Sequence, residues 1–113
     1  MTVYRDPGEL HDAAMDLIEK AEQIKDTSLE QAHNYTIQAL QLATEAAMAM
    51  DDSVKLSKSR SIMFMSAVSI AFTLGRFEDA LKLANAALSK EVHPSLKAEL
   101  EDCKQRAEYV LSH

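Results

Sequence analysis

The stretch Leu74–Leu88, LGRFEDALKLANAAL, decides the fold. Gly75 is the residue type that closes a helix in the left-handed conformation, and only Arg76 separates it from a new apolar pattern. That pattern, Phe77, Ala80, Leu81, Ala84, Ala87 and Leu88, recurs at three and four residues, the period of a helix with one buried face. A connection this short folds the second helix back antiparallel to the first. Upstream, from Ile62 to Leu74, nearly every residue is apolar or small, including Met63, Phe64, Met65, Val68, Ile70, Ala71 and Phe72. A helix apolar on so many sides belongs at the centre of the core.

The same grammar extends in both directions. In RDPGEL, Asp6 can cap, Pro7 suits the first helical position and Glu9 stands where a capping box needs it. The first helix, about residues 7–25, carries Leu10, Ala14, Leu17, Ile18, Ala21 and Ile24 as its stripe. Thr27 or Ser28 caps the second, about 28–50, whose stripe is Leu29, Ala32, Thr36, Ala39, Leu40, Ala43, Ala46, Ala47 and Met50. Alanines there let a neighbouring helix approach closely. Asp51 to Ser53 caps the third, about 53–74, with polar opening turns. The fourth spans about 77–90. Pro94 ends the linker and opens the fifth, about 95–111, with Leu96, Leu100, Cys103, Ala107, Val110 and Leu111 inward. The expectation is an all-α single domain over residues 1–113: five antiparallel helices, arranged as two hairpins and a C-terminal capping helix.

Composition agrees. Two glycines, two prolines and few aromatics in 113 residues favour helix over strand. A formal charge of −6 repels phosphate backbones and anionic lipid, so neither nucleic acid nor membrane is expected as partner. The segment MTVYRDPGEL lacks the apolar core of a signal peptide, and IMFMSAVSIAF is far shorter than the ~20 residues of a spanning helix. A lone cysteine, Cys103, fits a reducing compartment, and the expected location is cytoplasmic.

An internal similarity links Ser28–Leu40 with Arg76–Leu88 at an offset of 48 residues: Leu29 with Phe77, Glu30 with Glu78, Ala32 with Ala80, Ala39 with Ala87, Leu40 with Leu88. The second copy, FMSAVSIAFTLGRFEDALKLANAAL, resembles a tetratricopeptide repeat over Phe64 to Leu88. Phe64 supplies the aromatic, Ala71 the small residue, Gly75 the turn, Phe77 the start of the second helix, and Ala80 the helix crossing. Ala67-Val68 stands in place of the family's Leu-Gly, and the offset exceeds that family's ~34-residue period, as in its extended variants. A plain five-helix bundle is the competing architecture.

The resemblance implies a non-enzymatic surface that binds a peptide or protein in a groove lined by the first helix of each pair. Mapped through the match, that groove brings Leu17, Ala21 and Ile24 beside Met65, Ser69 and Phe72. It is apolar and suits an amphipathic helix. Leu17 and Met65 stand where chaperone-binding members place lysine, and Ala21 and Ser69 where they place asparagine, so no carboxylate clamp is expected. The alternative is a structural or regulatory subunit of an obligate oligomer, its apolar surface filled by the fifth helix or by a second copy. No cofactor, metal or catalytic residue is expected, since His11, His33, His93 and His113 are dispersed and no glycine loop could cradle phosphate. One further feature is the basic run KLSKSRS, where Lys55, Lys58 and Arg60 form a candidate patch for an anionic partner.

Overall fold

Helix punctuation in the chain becomes geometry in the computed structural model, which describes residues 6–51 and 53–113. Five α-helices and no strand occur among these residues: α1 (Pro7–Ile24), α2 (Leu29–Ala49), α3 (Ser57–Thr73), α4 (Phe77–Leu88) and α5 (Pro94–Ser112). The Glu9 N–H donates to the Asp6 carboxylate at 2.9 Å to start α1, and the Gln31 N–H donates to Ser28 Oγ at 3.2 Å to start α2. Ser28 is therefore the cap, while the Thr27 hydroxyl donates back to the Ile24 carbonyl. Between α2 and α3 the expected continuous third helix begins instead as a 3-10 turn, Val54–Leu56, with Ser53 accepting from the Lys55 N–H. Of the expected Asp51–Ser53 cap, Asp52 lies outside the described residues.

Gly75 has φ +70°, and it is the one described residue in the left-handed region. The Arg76 N–H donates to the Ala71 carbonyl and the Gly75 N–H to the Phe72 carbonyl, a Schellman closure that turns the chain into α4. Phe77 then meets Phe72 edge to face, ring centroids 5.4 Å apart. At the next junction His93 caps α5: its Nδ1 accepts from the Ser95 N–H, and Pro94 occupies the first helical position.

Each helix packs chiefly on its neighbours in the chain, α1 on α2, α2 on α3, α3 on α4 and α4 on α5, with a brief contact of α3 with α5. The molecule measures 41 × 40 × 23 Å. Its thin dimension is about two helix diameters, so the helices form two layers. Ala39, Ala43, Ala46, Ala47, Ala67, Ala71, Ala80, Ala84 and Ala107 are buried where helices cross, around the larger Phe64, Val68 and Leu100. Leu83, outside the expected stripe of α4, is also buried.

Three expectations are corrected. Leu29 is 77 % exposed, at the first residue of α2, with no helix opposite it. Val110 and Leu111 are exposed because α5, at 19 residues, overhangs the 12-residue α4 on which it packs. The opening of α3 is polar but not all solvated: Lys58 and Ser59 are exposed, whereas Arg60 and Ser61 are buried. The Arg60 guanidinium donates from one nitrogen to the carbonyls of Asp51 (2.7 Å) and Ser53 (3.1 Å), and from the other to that of Glu91 (2.7 Å). Ser61 Oγ accepts the His93 N–H at 3.0 Å and donates to the Ser57 carbonyl at 2.7 Å. Two adjacent residues of α3 thereby hold the α2–α3 and α4–α5 connections.

Removing the buried guanidinium takes away the donor to the Asp51 and Glu91 carbonyls and leaves the Ser53 carbonyl with the Leu56 N–H alone. Arg60→Met is expected to cost about 3 kcal/mol, read as a fall in the urea midpoint. Arg60→Lys should recover only part of that loss, because an ammonium lacks the planar fork that reaches both loops.

Candidate functional site: an apolar groove between α1 and α3

Because α1 and α3 make little or no direct contact, α2 forms the floor of a groove between them. From α1 come Met15, Ile18, Ala21 and Glu22; from α2, Thr36; from α3, Ile62, Met65, Ser66, Ser69, Ile70 and Thr73; and Leu96 of α5 closes one end. The groove encloses about 460 Å³. Its walls are predominantly apolar, with Glu22 the single charged residue lining it, and Ile62 stands 42 % exposed on its edge. Met65 and Ser69 also line a second depression of about 540 Å³ between α3 and α5, which continues the first along Phe72, Ala98, Glu99, Asp102, Cys103 and Arg106. The result is an elongated strip across α1, α3 and α5.

Of the six residues expected here, Ala21, Met65 and Ser69 line the groove, and Phe72 lines its continuation. Leu17 packs against the core instead, and Ile24 is the last residue of α1, half-buried and outside both depressions. In their place Met15 and Ile18 form the α1 wall. Helix phase explains the difference: Leu17 shares the inner face of Leu10 and Ala14, whereas Met15, Ile18 and Glu22 lie at i, i+3 and i+7 beside it, and Ala21 meets the groove at the edge of the inner face. A phase count on α1 alone would have found them.

Phe72 is covered by the Arg106 guanidinium, whose central carbon lies 4.9 Å from the ring centroid, and Arg106 also reaches Asp102 at 3.5 Å. At the α1 end, Lys25 Nζ pairs with Glu22 at 2.8 Å, which raises the lysine pKa through the hydrogen bond and the charge of Glu22. The basic run does not form the expected three-residue patch. Lys55 and Lys58 are exposed, but Arg60 is only 1 % exposed and faces the loops described above. A charge held by three carbonyls is unavailable to an anionic partner. Among the described residues no three His, Cys, Asp or Glu side chains converge as metal ligands, and no helix is long and apolar enough to cross a membrane.

No family model, curated protein or solved structure matches the chain. The groove must therefore be read from its own chemistry. Cys103 adjoins it as a free, buried thiol whose pKa is pushed up, foremost by burial, with Asp102 and Glu99 adding to the rise and Arg106 opposing it. A raised pKa leaves less thiolate at neutral pH, and thiolate is the reactive form. Alkylation of native Cys103 by iodoacetamide is expected to run at least about tenfold slower than in the urea-unfolded chain, with the gap still present at mildly alkaline pH. Equal rates would mean the thiol is reached freely from the groove.

Proposed function

We propose that this chain is a non-enzymatic protein-interaction module, similar in plan to tetratricopeptide repeats, that seats an amphipathic helix of a partner protein in the groove between α1 and α3. The observation that carries this reading is the lining of the open groove between α1 and α3, largely apolar with Met15, Ile18, Ile62 and Met65 along it and continued past Met65 and Ser69 by a more polar depression. Methionine adapts to varied partner side chains, and a helix in a groove presents its anchors at i, i+3, i+4 and i+7. Packing of each helix on its chain neighbours, with a Schellman-closed α3–α4 hairpin, supports the repeat plan. The module works in the cytoplasm without a cofactor, with a protein rather than nucleic acid or membrane as its partner; the acidic charge and the single cysteine support this.

A second reading is a subunit of a homo-oligomer. The exposed Tyr109, Val110 and Leu111 on the overhanging end of α5 favour it.

The test compares binding of a fluorescent amphipathic helical peptide by the native chain and by Ile62→Glu. Ile62 is partly exposed, so the fold is kept, and the loss is expected to be at least about tenfold, roughly 1.4 kcal/mol. Leu56→Glu, at an exposed apolar position outside the groove, should bind as the native chain does. No peptide binding, together with a dimer in sedimentation that Val110→Glu dissociates, would establish the second reading instead.

A further inference from the structure

Around α1, the residues one step beyond the groove wall are acidic. Asp12 and Glu19, at i and i+7, lie exposed on the flank of α1 next to Met15 and Glu22, and the exposed Asp16 stands further round the helix. None of the three is engaged in an ion pair with a described residue; Lys20, at i+4 from Asp16, shares its outward face, away from the groove. The opposite end of the strip carries Glu99 on α5, beside the Asp102–Arg106 pair. Cations near the strip are few: Arg106 is stacked on Phe72 and paired with Asp102, Lys25 is paired with Glu22, and Lys58 stands one turn before Ile62 at the start of α3.

From this arrangement we infer that the helix seated in the groove is cationic, with lysine or arginine along the edges of its apolar face, lying against the acidic flank of α1. This rests on the groove reading above and adds to it the charge of the partner. An apolar stripe alone accepts many amphipathic helices. The flanking carboxylates select among them, because like charges along an interface oppose docking while opposite charges speed encounter and fix orientation. Arg106 and Lys25 do not cancel this bias, since each is already held by a carboxylate of the strip itself. Net charge adds a long-range pull in the same direction.

Two synthetic helices of about 18 residues, long enough to keep an amphipathic face, test the inference: both carry the same leucine and methionine stripe, one with lysine and one with glutamate at the remaining positions. The lysine helix is expected to bind at least about tenfold tighter near 0.1 M salt, and the preference should shrink near 1 M, where the screening length falls from about 10 Å to about 3 Å. The triple variant Asp12→Lys, Asp16→Lys, Glu19→Lys should reverse the preference. A control with the same change in net charge, Glu45→Lys, Glu101→Lys, Glu108→Lys, alters exposed residues away from the groove and should keep it. Circular dichroism checks that each variant is folded. Equal binding of the two peptides, still abolished by Ile62→Glu, would overturn the cationic partner and leave the groove reading standing. So would a control that reverses the preference as strongly as the α1 variant. Binding of neither peptide would overturn both.

Discussion

The arrangement of helices depends on one buried cation. Arg60 sits on α3 with its guanidinium between two loops, bound to Asp51 and Ser53 on one side and to Glu91 on the other, and all three acceptors are backbone carbonyls. Burying a charge is costly unless its donors are satisfied. Here the donors are spent on the loop carbonyls of Asp51 and Glu91 and on that of Ser53, which also accepts the Leu56 N–H, so the guanidinium and the loops satisfy each other. The next residue repeats the device with a neutral group: Ser61 accepts the His93 N–H, which orients the cap of α5. Positions 60 and 61 thus bring the start of α3 and the start of α5 to one point in space, although more than thirty residues separate them in the chain. Arginine suits the task because its rigid fork spans acceptors in different directions.

The rest of the packing is economical in side-chain volume. Alanine lines the crossings of α2, α3 and α4, which lets helix axes approach closely but gives each crossing little apolar area. Such helices gain most from long, continuous contact with their nearest neighbours in the chain, and the pairs that pack best are consecutive ones. A two-layer plate follows. Within the layer of α1, α3 and α5 the first two make little or no direct contact, with α2 behind them, and the gap is the groove. Its apolar lining is a consequence of the same sparse packing: Met15, Ile18 and Met65 touch the core on one side and have no helix on the other.

How much of this was legible in the sequence differs from residue to residue. Caps and turns act over three or four residues, so Asp6, Ser28, Gly75 and Pro94 marked the helix boundaries nearly where they fall. Arg60 was illegible because its run, KLSKSRS, has the composition of a solvated turn, and its acceptors are backbone atoms that have no sequence signature. Val110 and Leu111 continue the apolar period of α5 faithfully, but the period does not record where α4 stops. The groove was half legible. Met65, Ser69 and Phe72 were placed through the hairpin that the chain spells out around Gly75, whereas Leu17 and Ile24 were carried over by alignment onto a helix whose own phase points Met15 and Ile18 at the groove.

The case of α3 shows why orientation, more than secondary structure, was the missing information. This helix is apolar nearly all round, so periodicity cannot say which side meets the core and which meets the groove. Ile62 and Phe64 look equivalent in sequence, yet one is 42 % exposed and the other 1 %. The polar exceptions choose between them. Arg60 and Ile62 are two residues apart, about 200° around the helix, so turning the guanidinium towards the loops turns Ile62 outward. Ser69 and Thr73 follow Ile62 on the outer side, and the Thr73 hydroxyl donates back to the Ser69 carbonyl within the helix. The clamp and the groove are therefore two faces of one constraint: fixing the inner side of α3 by hydrogen bonds turns Ile62, Met65, Ser69 and Thr73 towards the groove.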